Sequence, residues 1–540
     1  MSSNFSLSDN ADAVARALDA LERQEVLRRI WGKDHTVWKP DPTEITNRLG
    51  WLNIVEPMSA HVSDLNEFSN EVIGAGFDHV VLLGMGGSSL GPEVLRRTFG
   101  RQEGFPELIV LDSVDPDSIK RVRDSINISR TLFLVSSKSG TTIEPQLLFE
   151  YFKEQSKSVV GEDSYGNHFA AITDPETPLA RQGRELGFRR VFENQPDIGG
   201  RYSVLSLFGL VPAVLAGIDI GKLLESAQSM QEECGSRNPA ENPGATLGAI
   251  TGTLAVDGRD KLTLITSPGI SRFGLWVEQL IAESTGKEGK GIVPVAGEPL
   301  VDPKTYGKDR LFVYLRLEGD ENSQTDKAVE SLRTAGQPII TIEMKDKFDL
   351  GAEFFRWEFA VPVAGSILGI NPFDQPDVQR AKDATNRVLK RKAETGSFPE
   401  VKSELSLEQL LSQAGPGKYI SIMAYVFESP EVDRVMEVLR KNILEKYGIA
   451  TTFGYGPRFL HSTGQLHKGG PASNLSLQIT VDHPQDIPVP GQDYTFGQLT
   501  NAQAMGDLDA LQSVGRSVSN IHFASGDYGF SDELMSLWPQ

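Results

Sequence analysis

The chain is patterned in two ways. Up to about residue 75, apolar positions recur at helical spacing, most clearly from Ala11 to Ile30, and Lys39-Pro-Asp-Pro42 breaks the run. From His79, short apolar runs alternate with amphipathic stretches of 10 to 20 residues. That alternation predicts parallel strands joined by crossover helices. The expected strands are His79–Gly84, Glu107–Ser113, Arg130–Ser136, Phe169–Asp174 and Arg190–Phe192. Helices fall between them at Gly91–Phe99, Asp115–Ile126, Thr141–Val160 and Pro178–Leu186. After a mostly helical connection, Tyr202–Gly258, the alternation resumes with strands Lys261–Ser267, Ile292–Val295, Leu311–Leu317 and Pro338–Glu343. Helices Ser271–Ser284 and Ser323–Ala335 lie among them, and two long helices follow, Leu350–Gly369 and Asp374–Lys392.

Residues 394–416 are rich in Gly, Ser and Pro and read as a linker. Beyond it the order is strand Tyr419–Val426, helix Pro430–Tyr447, strands Thr451–Tyr455 and Leu475–Val481, helix Phe496–Gln512 and strand Val518–Phe523. This β-α-β-β-α-β order predicts a ferredoxin-like α+β module. The expected organisation is therefore a helical segment at 1–75, doubly wound α/β domains at 76–220 and 221–395, and an α+β module at 417–540.

Length and composition narrow the function. A chain of 540 residues has room for three or four domains. Its formal net charge of −20 argues against nucleic acid as a partner. Cys234 is the single cysteine, which excludes an intramolecular disulfide and a Cys-rich metal site and fits a reducing compartment. The apolar window Leu205–Ile220 is too short for a membrane span, and Met1–Asp9 lacks the pattern of a signal peptide. The expectation is a cytoplasmic protein without membrane contact.

Five motifs carry chemistry. The first strand runs into Gly84-Met-Gly-Gly-Ser-Ser-Leu-Gly91, whose glycines let backbone N–H groups approach an anion at a helix start. Phosphate binding is favoured, with dinucleotide binding and a plain turn as alternatives. Against the dinucleotide, Ser89 replaces the third glycine of the fingerprint, and Asp112 lies 28 residues after Gly84. The third strand runs into Ser136-Ser-Lys-Ser-Gly-Thr-Thr142, where five hydroxyls open a helix. An ordinary N-cap needs only one of them. Gly199-Gly-Arg-Tyr-Ser203 offers Arg201, a permanent cation or else a surface residue. In the helix from Ser271, Gln279 and Glu283 share one face, and Glu283 sits in the last turn. There a carboxylate meets the negative end of the helix dipole, which favours taking up a proton, although a solvated helix-end Glu has the same address. Gln375 and Lys382 lie two turns apart on one helix face, an arrangement also common at plain surfaces.

Taken in order, these motifs resemble the glucose-6-phosphate isomerase family, whose members have two sugar-isomerase (SIS) domains with flavodoxin-like parallel sheets. The resemblance spans about residues 79–392. It implies an aldose–ketose isomerase acting on glucose 6-phosphate and fructose 6-phosphate through ring opening and a cis-enediolate. By the same resemblance, Gly87, Ser88, Ser137, Lys138, Ser139 and Thr142 form the phosphate site. Glu283 is the base, Arg201 steadies the enediolate, Gln279 and Gln375 orient the sugar, and Lys382 contacts it during ring opening. No metal or organic cofactor is implied, and a homodimer with shared sites is. Dual action on mannose 6-phosphate and a non-catalytic phosphosugar sensor are the alternatives.

One departure stands out. The family takes its ring-opening histidine from a neighbouring subunit, but the comparable segment here, Tyr306-Gly-Lys-Asp-Arg310, has none. The tail from 418 to 525 resembles that of the isomerase half of transaldolase–glucose-6-phosphate isomerase fusions. Only 78 residues precede the first strand, so a stand-alone isomerase of that subtype is expected. Candidates for the missing group are His461, His467 or the Asp309–Arg310 pair, weighed against a tail loop that merely caps its own domain. The remaining histidines, His35, His61, His79, His168, His483 and His522, read as structural.

Overall fold

The computed structural model describes residues 3–399 and 403–524. Its strands are β1 (Ser3–Ser6), β2 (His79–Leu83), β3 (Glu107–Leu111), β4 (Thr131–Ser136), β5 (Phe169–Thr173) and β6 (Arg190–Glu193). They continue with β7 (Lys261–Thr266), β8 (Val293–Ala296), β9 (Arg310–Leu317) and β10 (Ile339–Met344). The last four are β11 (Tyr419–Tyr425), β12 (Ala450–Tyr455), β13 (Asn474–Val481) and β14 (Ser517–Phe523).

They form three sheets with one winding. The first is ordered β3-β2-β4-β5-β6, the second β8-β7-β9-β10 with β1 on its outer edge, and the third β12-β11-β13-β14. Every pairing is parallel except β1 with β10. The parallel strands of each sheet thus start inside it and step outward on both sides, as doubly wound sheets do. Helices cover both faces, so central strands such as β4 (Thr-Leu-Phe-Leu-Val-Ser) and β13 are buried at every position.

Two expectations need correction. The C-terminal module is not α+β with ferredoxin-like order: its four strands are all parallel. The segment between β12 and β13 is a full crossover carrying the 3-10 turn Arg458–His461 and the helix Gly464–Gly469. Six residues of helix are too few for their periodicity to stand out, so the pair read as adjacent strands. The N-terminal segment is also not wholly helical, because Ser3–Ser6 adds β1 to the second sheet. The linker span 394–416 contains a short helix, Leu407–Leu411, closed by a Ser406/Gln409 capping box. Residues 400–402 of it and 525–540 of the C-terminal module lie outside the described residues.

A large aromatic core joins the first two sheets. Helix Leu350–Leu368 is buried over most of its length. Gly244, Gly248 and Gly252 repeat every fourth residue along helix Pro243–Val256. A Cβ at Gly248 would lie 2.4 Å from the Ala360 carbonyl oxygen, so glycine is what lets the two helices meet. The third sheet docks through polar anchors. Arg440 donates to the Ala296 and Gly297 carbonyls, and Glu298 accepts from the Thr451 backbone while pairing with Arg310 at 2.7 Å. Helix Pro376–Thr395 packs on helix Phe496–Ser513, with Gly506 against the Thr385 backbone.

Candidate active site

The glycine loop after β2 and the hydroxyl loop after β4 leave neighbouring strands side by side. Each opens a helix whose N-cap residue, Ser89 or Thr142, makes no side-chain cap hydrogen bond. The other two crossover helices of the first sheet are capped in the usual way, by Asp115 and Thr177. First-turn N–H groups facing these two loops are therefore left for an anion. Gly86 has φ +56°, a left-handed conformation suited to glycine. At Gly87 a Cβ would lie 2.3 Å from the Gly200 carbonyl, so the glycine loop presses directly on the Gly199-Gly200-Arg201 turn. Ser88 is buried, its carbonyl accepting from Ser136 Oγ, and the Ser137 and Thr142 hydroxyls meet at 3.3 Å. Ser139 is exposed and bonds Thr141. Lys138 points elsewhere, its ammonium held by Asp174 and the Pro196 carbonyl.

Asp112 closes the dinucleotide alternative. Its carboxylate accepts from Ser89 Oγ at 2.9 Å and takes both Nε and Nη2 of Arg458, at 2.9 and 2.7 Å. It is thus engaged by protein groups rather than held ready for a ribose.

Arg201 is 3 % exposed and ties three elements together. It donates to Ser284 Oγ at 2.7 Å, to Gln375 Oε1 at 2.9 Å and to the Pro372 and Asp374 carbonyls. Its Nη1 lies 3.6 Å from Glu283 Oε1. Glu283, 12 % exposed, also accepts from Gln279 Nε2 at 3.2 Å. The same Gln279 amide donates to the His461 carbonyl at 2.8 Å and borders Gly86. The structure therefore gathers Gly87, Ser88, Arg201, Gln279, Glu283 and Gln375 at one seam between the first two sheets. Gln375 is the N-cap residue of its helix, Pro376–Thr395. Lys287, just beyond the Gln279–Glu283 helix and assigned no role from the sequence, is buried and fixes Asp374 through both its carbonyl and its carboxylate. Burial, reinforced by Arg201, pushes the Lys287 ammonium down to about 8.

His461 reaches the seam from the third sheet. Its Nε2 sits 3.0 Å from Glu144 Oε1, a carboxylate in the first turn of helix Ile143–Val160. Burial pushes the Glu144 carboxyl up. His461, the backbone N–H at the helix start and the charge of Lys382 outweigh this and hold it below its ordinary value. An ionised carboxylate only accepts, so Nε2 carries the proton and Nδ1 is free of Glu144. The imidazole is 16 % exposed. Lys382 is exposed on helix Pro376–Thr395, and its charge acts on Glu144.

The other candidates sit apart from this cluster. His467 is 2 % exposed inside the third module, packs on Phe459, and has neither ring nitrogen hydrogen bonded. Burial, aided by Lys468 and Arg516, pushes its imidazole down to about 3. Arg310 is fully buried against Glu298 and Thr263, and Asp309 faces Lys261 at 3.6 Å, so both serve the seam with the third sheet. Among the described residues no three His, Cys, Asp or Glu side chains cluster as metal ligands would. Nor is any described helix long and apolar enough to cross a membrane.

Residues 58–294 match the family model of phosphoglucose isomerase. That match spans somewhat less than half of the chain. The glucose-6-phosphate isomerase of Staphylococcus saprophyticus is 29% identical over 377 residues, 62% of this chain and 85% of that protein. The one from Rubrobacter xylanophilus is 29% identical over 371 residues, 60% of this chain and 85% of its own length. Two crystal structures share the fold. A hypothetical protein from Thermus thermophilus aligns at TM-score 0.61 and 24% identity, covering 73% of this chain and 100% of its own. A glucose-6-phosphate isomerase from Chlamydia trachomatis aligns at 0.60 and 20%, covering 72% of this chain and 87% of its own.

Proposed function

We propose that this chain interconverts glucose 6-phosphate and fructose 6-phosphate. The observation that carries the reading is the seam itself. One carboxylate, Glu283, lies beside a buried guanidinium, Arg201, and accepts from Gln279, which borders the glycine loop opening one of two uncapped helix starts suited to phosphate. Phosphate rests on the N–H groups and hydroxyls of the loops carrying Ser88, Ser137 and Thr142. His461, with its proton on Nε2 held by Glu144, uses Nδ1 to take the C1 hydroxyl proton and pass a proton to the ring oxygen, which opens the ring. Glu283 then removes the proton from carbon 2. The C–H electrons form the C1–C2 double bond of an enediolate as the C1 carbonyl electrons move onto O1, whose negative charge Arg201 neutralises. The O2–H proton passes to O1, and Glu283 returns its proton to carbon 1 as the C2 carbonyl forms. Gln279 and Gln375 hold hydroxyls, and Lys382 supplies a cation at the ring-opening side. Every step uses side chains of this chain.

The finer reading is the subtype found as the isomerase half of transaldolase fusions, working in the cytosol. Its support is the resemblance of the tail together with the role we give His461. Oligomerisation is not required to complete the site, because the histidine comes from the same chain. The test is conversion of fructose 6-phosphate, followed by oxidation of glucose 6-phosphate with a coupling dehydrogenase, in chelator and without added metal. Turnover is expected; its absence rejects the proposed reaction.

A further inference from the structure

Gln503 belongs to none of the motifs. It lies on helix Phe496–Ser513 of the third module and is 4 % exposed. Its Nε2 donates to Glu144 Oε1 at 2.7 Å, the same oxygen that meets His461 Nε2 at 3.0 Å. Because an ionised carboxylate cannot donate, the amide must present its NH₂ group here. Two elements of the third module thus converge on one oxygen of the first. The backbone around Gln503 is itself held: its carbonyl accepts from Tyr425 OH, and the next carbonyl, of Ala504, accepts from Gln478 Nε2 at 3.0 Å.

We propose that Gln503 is a positioning residue for ring opening. Resting on the reading of His461 as the ring-opening group, its role is to fix the rotation of the Glu144 carboxylate. Oε1 then stays in line with His461 Nε2, the imidazole keeps one tautomer, and Nδ1 stays available to the sugar. A charge-assisted hydrogen bond to a buried carboxylate is strong enough for its loss to be felt in rate. The module's general docking has a separate strut, Arg458 on Asp112 and Glu428. Gln503 can therefore be tested without removing that anchor.

Ring opening and reclosure interconvert the α and β anomers of glucose 6-phosphate without touching carbon 2. In a Glu283→Gln background, catalysed anomer exchange measured by NMR magnetisation transfer therefore isolates this step. Gln503→Met keeps the side-chain length and removes the donor. It is expected to slow exchange about tenfold while the affinity for sorbitol 6-phosphate stays within about twofold of the parent. Gln503→Leu repeats the test if the Met variant does not fold. Exchange at the parental rate overturns the proposal, and so does a parallel fall of rate and affinity, which marks a purely structural role. His461→Ala is run alongside. If it too leaves exchange intact, the ring-opening reading itself falls; if it abolishes exchange while both Gln503 variants keep it, only the positioning role falls.

Discussion

The first and third sheets are wound in the same way, but their helix starts are treated differently. In the first, the two helices that open at the seam have N-cap residues, Ser89 and Thr142, that cap nothing. In the third, the two long crossover helices are capped, Pro430–Tyr447 by Ser429 and Phe496–Ser513 by a Thr495/Gln498 box, and the six-residue helix Gly464–Gly469 between them lacks a side-chain cap. A helix that satisfies its own first turn has little left for a ligand; one that does not is open to an anion. The lesson is that winding alone does not make a doubly wound sheet a binding site. In this molecule one sheet receives the phosphate in the proposed reaction, and another of the same topology contributes side chains through its crossover.

The sharpest way to break that division is at the base. Glu283→Gln should lower exchange of the carbon-2 proton with solvent by about 10²–10⁴-fold, the range for loss of a general base. Binding of sugar phosphate, placed on the first sheet's loops in the proposed reaction, should remain. Isotope exchange and equilibrium binding on the same variant check this, and normal exchange would remove Glu283 from the chemistry.

Next comes the contribution of the third sheet. His461→Ala should slow turnover of ring-closed substrate about a hundredfold. His467→Ala, six positions on, should leave turnover unchanged, since its buried, neutral ring touches no reacting group. Mixing Glu283→Gln chains with His461→Ala chains should restore nothing, because the Gln279 amide joins both residues within one chain. Recovered activity in the mixture would mean that sites are shared between chains, and the comparison of sheets would have to be redrawn.

Much of this was legible in the sequence, for identifiable reasons. The strands of all three sheets are short apolar runs bounded by Gly, Ser and Pro, and period and punctuation place them. Glu283, Arg201 and the glycine and hydroxyl loops lie in motifs whose residues are close in sequence. Glu144 was not legible: an acidic residue in a helix's first turn reads as dipole chemistry, and its partners are 317 and 359 positions away. Lys287 hid in the same way, as a lysine at a helix end. Lys138 shows the reverse error, since a cation in a hydroxyl-rich loop looked like a phosphate ligand and is taken by Asp174. The parallel third sheet was missed because its middle crossover is only a turn and six residues of helix.

The seam between the first two sheets also carries a pH signature. Protonated Lys287 holds the Asp374–Gln375 loop, and burial brings its titration down to about 8. As pH rises through that value the ammonium loses its proton and its grip on Asp374, so KM should rise on the alkaline side, several-fold by the size of a charged hydrogen bond. Lys287→Arg, which stays charged, should move that limb to higher pH. An alkaline limb unmoved by the Arg variant would assign it to another group.

The smallest effect tests the helix-start comparison directly, by removing one hydroxyl from each sheet. Thr142 caps no N–H, so Thr142→Ala should cost little stability in denaturant unfolding. It should raise KM for the phosphorylated sugar about tenfold, through the loss of a phosphate contact. Ser429 accepts from the Val432 N–H, so Ser429→Ala should do the opposite: it should cost about 1 kcal/mol of stability and leave KM alone. Each substitution removes an N-cap hydroxyl from a crossover helix. If both variants lose stability and neither changes KM, Thr142 is a cap like any other, and the open helix start is not what distinguishes the first sheet from the third.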